Sequence, residues 1–274
     1  MSERERWQVD ANAPEAYEQY MVPALFAPWA QDLLAHAALR SGERVLDVAC
    51  GTGVAAKLAV THVGATGRVV GVDLNRGMLD VAGAQTSLNG ANVEWHEGDA
   101  NALPFEDAAF DAVLCQQGLQ FFPERATALR EVNRVLAPSG RFVVSVWRPL
   151  SCNPYQRLLG DALEKHIGTE AANGWRAAQS LGDAEELRNF LVEAGFEDVH
   201  ISIAIVAMRT PSLDTFIPGQ IAASPWAGTV AGLNPSAQRA FYENIIAALQ
   251  PYTDDDGLAV PTESHVAVAW KKRN

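Results

Sequence analysis

The sequence is poor in three features that often announce a function. Three cysteines, Cys50, Cys115 and Cys152, are scattered among 274 residues without a C-x-x-C pair. Neither a disulfide framework nor a thiolate zinc site is written into such a pattern, and a reducing compartment fits it. Basic residues are also scarce: 21 Lys and Arg stand against 33 Asp and Glu, a formal charge of −12. A nucleic-acid binder draws much of its affinity from neutralised phosphates and shows a basic face. The acidic balance argues against that class of partner and reads as a solvated surface. Apolar runs, finally, are short. None approaches the ~20 residues of a membrane span, and residues 1–10, with Glu3, Arg4, Glu5 and Arg6, lack the apolar stretch of a secretory signal. The expectation is a cytoplasmic protein with no membrane association and no metal site, long enough to bury its core without staples.

What is present is alternation. Apolar residues from Tyr17 to Leu39 recur at helical spacing, and Pro23 and Pro28 predict a break into two short helices. Strands are expected at 44–49, 68–73, 92–96, 110–115 and 141–147, separated by helices at 54–62, about 77–88 and a third that starts at Pro123 and runs to Leu136. Pro138-Ser139-Gly140 reads as the turn before the fifth strand. Strands and helices alternating at this spacing imply a parallel sheet covered by helices on both faces. Beyond Arg148 the pattern loosens: a capped helix from Asp183 to Ala194, a strand around 199–205, helices at 212–223 and 236–249, an acidic turn at Asp254–Gly257 and a strand at 264–270.

The most informative segment is Val45-Leu-Asp-Val-Ala-Cys-Gly-Thr-Gly53. Gly51 and Gly53 lack a Cβ, so the backbone of a strand–helix turn can approach a ligand closely. Gly51-x-Gly53-x-x-Ala56 with Asp73 about twenty residues on also satisfies the dinucleotide fingerprint, which keeps a nicotinamide oxidoreductase in play. Two features weigh against it. Asp47 sits inside the strand just before the loop, where a carboxylate suits a cation and repels a pyrophosphate. Gly98-Asp99-Ala100 follows the third strand and offers a carboxylate and a backbone N–H to a nucleobase edge, although Asp99 taken alone serves a loop turn equally well.

Taken in order, Val45–Gly53, Val69–Leu74, Gly98–Phe105, Phe110–Phe122 and Leu129–Trp147 resemble the successive motifs of class I S-adenosylmethionine-dependent methyltransferases. The likeness is greatest to the branch of quinone-biosynthesis C-methyltransferases and small-molecule methyltransferases. It covers about the first 150 residues closely and the remainder loosely. It implies an α/β fold: a doubly wound, seven-stranded, mostly parallel sheet of Rossmann-like type, with an antiparallel final strand and a helical lid inserted before it. The organisation expected is an N-terminal helical cap at 1–40, a cofactor core at 41–150, and the remaining strands at 151–274 with the lid at about 208–262. By the same resemblance Gly51 and Gly53 line the methionine part of S-adenosyl-L-methionine, and Asp73 takes both ribose hydroxyls beside Leu74. Asp99 and Ala100 hold adenine, with Met78 on its ring. Gln116 lies near the amino group, and Asp47 acts directly or through water. Ser139 departs from the family, whose turn usually has glycine there.

Methyl transfer from a sulfonium is an in-line displacement with an activated leaving group, so alignment can supply most of the acceleration, roughly 7–11 kcal/mol, and no catalytic base is named. His36, His166 and His265 could reach a cleft, but a structural role is the stronger reading for each. Cys115 reads as a core residue. Phe121, Phe122, Trp147, Trp175, Phe216 and Trp226 gather where a lid would lie and suit a flat or lipophilic small-molecule acceptor, or else form the lid's own core. The partner expected is that small molecule, with a homodimer left open. The rival functions are the nicotinamide oxidoreductase and a protein that binds S-adenosylmethionine without turning it over.

Overall fold

The computed structural model describes residues 13–89 and 92–273. The charged start, Glu3 to Arg6, and the first twelve residues of the expected cap lie outside them. The sheet is built from β1 (Arg44–Val48), β2 (Arg68–Asp73), β3 (Val93–Glu97), β4 (Phe110–Gln116), β5 (Leu136–Trp147), β6 (Phe196–Thr210), a two-residue β7 (Thr253–Asp254) and β8 (Gly257–Lys271). Their order is β3-β2-β1-β4-β5-β8-β6, with β7 paired to β8. The first five run parallel and β8 is antiparallel to β5. This is the mostly parallel sheet with a reversed final strand that the motifs imply, extended by the short β7.

The helices are α1 (Ala13–Ala16), α2 (Ala27–Ala37), α3 (Val54–Val63), α4 (Arg76–Asn89), α5 (Arg125–Val135), α6 (Pro154–His166), α7 (Thr169–Arg176), α8 (Ala184–Glu193), α9 (Leu213–Ala222), α10 (Ala227–Ala231) and α11 (Pro235–Leu249). By contact the described residues divide into a sheet unit (29–89, 92–147, 181–204 and 264–273) and a helical unit (13–28, 148–180 and 205–263).

In the sheet unit, β1 is buried on both faces, as an inner parallel strand must be. Leu46, Val48, Val70, Val72, Phe110 and Val113 join Leu129 and Val132 of α5 and Leu187 and Leu191 of α8 in one apolar core. Asp183 caps α8 by accepting from the Glu185 and Glu186 N–H groups, as expected from its position. At the opposite end of the strands, Arg44 and Asp111 pair bidentately and Arg141 pairs with Glu43.

In the helical unit, Asn153 is fully buried and fully used: its amide donates to the Arg148 and Glu263 carbonyls and its oxygen accepts from the Glu263 N–H. Ser212 caps α9 and Asn234 caps α11. A Cβ on Gly219 of α9 would stand 2.4 Å from the Tyr20 ring, so this glycine lets an aromatic lie against the helix backbone.

Four expectations change. The break at Pro23 is absent: Tyr17–Phe26 is a π-helix closed by the Ala27 N–H to the Val22 carbonyl, and its wider turn accommodates a residue with no N–H to donate. Pro123 lies before α5 rather than in its first turn, because Glu124 is the N-cap and Pro123 holds Phe122 extended. α6 and α7 fill a stretch where no helix is expected, although Asn153-Pro154 is an N-cap and first-turn proline signal. And 138–140 is not a turn before the strand but a bulge within it: residues 137–140 of β5 stand opposite the single Asp111 of β4.

That bulge puts Ser139 in the left-handed region at φ 62°, a conformation that costs a side chain roughly 1–2 kcal/mol. Ser139→Gly is therefore expected to stabilise the protein by about 1 kcal/mol, which is about 2–4 °C in Tm for a chain of this size. Differential scanning calorimetry checks it, and an unchanged or lower Tm would show that the bulge is relaxed.

Candidate cofactor site

β1 is flanked by β2 on one side and β4 on the other, and the sheet order reverses between β1 and β4. In open α/β sheets the connections diverge at such a point and leave a crevice outside the carboxyl ends of the strands. The backbone there is unusual. Ala49 (φ 56°), Gly51 (φ 55°) and Gly53 (φ 83°) after β1, and Gln117 (φ 52°) after β4, all adopt the left-handed region. For Ala49 and Gln117 this stores strain of the kind that gathers at ligand sites. Gly118 draws the two strand ends together, since a Cβ on it would lie 2.8 Å from that of Ala49.

Two carboxylates, one buried and one half-buried, hold this backbone. Asp47 is 1% exposed and its Oδ2 accepts from the Ala56 N–H at 3.0 Å, in the first turn of α3. Asp73 closes β2; its Oδ2 accepts from the Gly51 N–H at 2.8 Å and its Oδ1 from the Asn75 N–H at 2.8 Å. Burial pushes the Asp47 carboxyl up to about 7, with the Asp73 charge adding to the rise and the Ala56 hydrogen bond opposing it. Burial likewise raises Asp73, against the pull of its backbone donors. Among the described residues no ion pair gives either of them a basic partner.

The other residues singled out in the sequence fall around these two. Leu74 follows Asp73 and is 51% exposed, a large apolar side chain left at the surface. Asn75 accepts from the Met78 N–H and so caps α4, with Met78 half-buried in its first turn. Gly98 donates its N–H to the Asp73 carbonyl, which ties the next loop to the same strand end. Asp99 accepts from the Asn101 N–H and amide, a turn-forming arrangement, and Ala100 packs on the core. Gln116 ends β4, half-buried.

The two loop glycines differ. Gly51 has no atom within 4 Å of where a Cβ would be, whereas a Cβ on Gly53 would meet the Trp95 ring at 2.1 Å and one on Gly71 would meet it at 2.4 Å. The indole of Trp95, on β3, lies against both glycines and donates its Nε1–H to Thr86 of α4 at 3.2 Å. Gly51 thus offers open space to a ligand, while Gly53 accommodates an aromatic of the protein itself. Read from the sequence, Trp95, Ala49 and Gln117 have no place at the site beyond their membership of the strand and loop motifs. For Trp95 a signal was available, since an isolated glycine within a strand marks close approach and Gly71 is one. Gln117, 4% exposed, donates to Ser264 Oγ at 2.8 Å.

The histidines have structural partners: His36 pairs with the Asp32 carbonyl, His166 with Asn244 and His265 with the Gly182 carbonyl. Cys115 is buried in the core. No helix among the described residues is long and apolar enough to cross a membrane.

Such a site fits a cationic nucleoside: two carboxylates without basic partners, an open face at Gly51 and an apolar side chain beside Asp73. The raised Asp47 carboxyl also carries a stability consequence. Its folded value lies above the ordinary carboxylate range, so its contribution is fully present at acid pH and is lost as pH rises towards 7 and beyond. Asn at this position keeps an acceptor for Ala56 and does not ionise. Asp47→Asn should raise the Tm of the cofactor-free protein more at pH 8.5 than at pH 5.5. A pH-independent difference in thermal melts would contradict the burial argument.

Comparison with known proteins agrees with this reading. The methyltransferase domain family matches residues 45–140. A demethylmenaquinone methyltransferase of Staphylococcus aureus (strain JH9) is 39% identical over 196 residues, 68% of this chain and 78% of that protein. The structure of YcgJ from Bacillus subtilis superposes with a TM-score of 0.58 at 18% identity, covering 89% of this chain and 98% of that one. Phosphoethanolamine N-methyltransferase 2 of Haemonchus contortus, solved with S-adenosyl-L-methionine, gives 0.63 at 20% identity over 100% of this chain and 60% of that one. A sheet reversed at β1/β4, a glycine loop tied to two acidic strand ends and a relative this similar over most of its length lead to one conclusion: the chain belongs to the S-adenosylmethionine-dependent methyltransferases.

Proposed function

We propose that this methyltransferase acts on a small, neutral, aromatic or lipophilic acceptor in the cytoplasm, of the kind the Staphylococcus aureus relative is named for. With the family established, the nicotinamide reading falls away. Bound at the β1–β4 crevice, S-adenosyl-L-methionine supplies a methyl group on an activated sulfonium. Asp73 takes the ribose hydroxyls with the acceptor capacity its carboxylate keeps beyond Gly51 and Asn75. Leu74 and Met78 pack on adenine, and Asp99 and the Ala100 N–H meet its edge. Gly51 and Gly53 line the methionine part, Gln116 approaches the amino group, and Asp47 acts through the α3 terminus or through water. When the cofactor is bound, the residues named here would hold its methyl group in line with the acceptor. The chain's own contribution is alignment and exclusion of water.

The observation that carries the cofactor part is the pair of carboxylates, Asp47 and Asp73, that hold the loop around Gly51 through backbone N–H groups and have no basic partner among the described residues. For the acceptor, the support is the interior of the helical unit. Among the described residues its nearly buried polar side chains (Asn153, Gln156, Thr210, Gln220, Ser224 and Thr262) are neutral, and the part-buried Arg148 and Glu263 pair with each other; a charged acceptor needs a buried counter-charge. We assign acceptor recognition to this unit, the insert at about 208–262 included, and cofactor binding to the core at 41–150.

Calorimetry is expected to show uptake of S-adenosylhomocysteine and none of NAD. Asp73→Asn should weaken that uptake roughly 10- to 100-fold, the range for losing hydrogen bonds to a charged group. Equal affinity in the variant would remove Asp73 from the ribose. In a methyl-transfer assay with labelled S-adenosylmethionine, 1,4-dihydroxynaphthalene should be methylated in preference to phosphoethanolamine, and the reverse order would refute the neutral-acceptor reading.

A further inference from the structure

The interior of the helical unit contains two kinds of buried polar side chain. One kind is satisfied within the fold: Asn153 makes three hydrogen bonds, Thr262 donates to the Val206 carbonyl, and Ser224 to the Ile221 carbonyl. The other kind is not. Tyr155 is 1% exposed, Gln156 4% and Gln220 2%. The Tyr155 hydroxyl, the Gln156 Oε1 and both amide atoms of Gln220 are buried without a hydrogen-bond partner. More than nine in ten buried polar groups in folded proteins are paired, so several such atoms in one unit mark a place that a polar ligand completes.

Tyr155 and Gln220 stand on helices that meet through Phe216. The Tyr155 ring, on α6, lies 6.2 Å from that of Phe216 on α9, and Gln220 follows Phe216 by one helical turn, on the same face of α9. Gln156 is next to Tyr155, and its backbone carbonyl accepts from Trp175 Nε1 at 2.7 Å. Trp175 in turn stands 5.9 Å from Trp226. Burial pushes the Tyr155 phenol well above its usual range, which keeps it a neutral O–H donor. The Gln220 carboxamide brings two donors and one acceptor. Aromatic side chains with neutral donors and acceptors beside them suit a ring that carries hydroxyl or carbonyl oxygens, and not an alkylammonium or a phosphate.

We propose that Tyr155 and Gln220, with Gln156 beside them, are the hydrogen-bonding contacts for the oxygens of the methyl acceptor. This rests on the methyltransferase reading given above and names the residues by which the helical unit recognises its substrate.

The test uses the full-length protein saturated with S-adenosylhomocysteine, and 1,4-dihydroxynaphthalene as the probe, with naphthalene as its oxygen-free control. Tyr155→Phe and Gln220→Met keep the side-chain volumes and remove the unpaired groups. Each variant is expected to bind S-adenosylhomocysteine as the parent does and to melt at the same temperature or higher, because a buried unsatisfied group is lost. Each should bind 1,4-dihydroxynaphthalene at least tenfold more weakly by calorimetry, with naphthalene affected equally little in all three proteins. The proposal is overturned if the variants bind the probe like the parent, or if the loaded parent does not take up the probe. It is also overturned if the variants melt well below the parent, since the groups would then have partners inside the fold. Failure of the parent to bind S-adenosylhomocysteine would instead strike the underlying reading of the cofactor site.

Discussion

The cofactor site depends on two carboxylates placed where the backbone has amide groups to spare. A strand–helix turn leaves the first N–H groups of the helix unpaired, and in this chain a side chain from the preceding strand reaches one of them, Ala56, while the end of the neighbouring strand reaches Gly51. The loop between β1 and α3 is thereby held from below and from the side. The cost is a negative charge taken out of water, visible in the raised Asp47 and Asp73 carboxyls. A cation placed against the same loop would offset that cost, so the arrangement that shapes the loop favours a positive charge beside it.

The parallel half of the fold was legible because its signals are local and redundant. Inner strands such as 68–73 are apolar between their charged ends, the turns carry glycine, and Asp183 announces α8 with both bonds a cap can make. What was not legible depends on partners distant in sequence. Pro23 forecast a break, and the π-helix that absorbs it follows no local rule. The bulge at 137–140 arises from pairing with β4, which the sequence of β5 alone does not contain. α6 was missed although its cap was visible, because Gln156 and Gly160 interrupt the apolar stripe at positions the fold nonetheless buries.

At the site, Asp47, Gly51 and Asp73 were singled out by position and by the resemblance; Asp73 bonds the Gly51 N–H and Asp47 bonds the Ala56 N–H of the same strand–helix turn. Gly53 was grouped with Gly51 from spacing, yet the two face different surroundings. Spacing conveys that a side chain is unwelcome without saying what excludes it. Trp95 escaped notice for the complementary reason: a tryptophan in a half-buried strand looks like ordinary core until the two glycines it rests on are seen beside it.

That indole has an evolutionary corollary. Gly53, Gly71 and residue 95 occupy one volume between them, so none can enlarge while tryptophan stays. A descendant in which position 95 shrank to valine or leucine would open room at both glycine sites and let alanine enter the strand at 71 once Cys50 Sγ, 3.0 Å from the added Cβ, gave way slightly. Position 53 would still be held to glycine by its left-handed backbone. Drift at these three places should therefore proceed in a fixed order, with the aromatic leaving first and residue 71 following it.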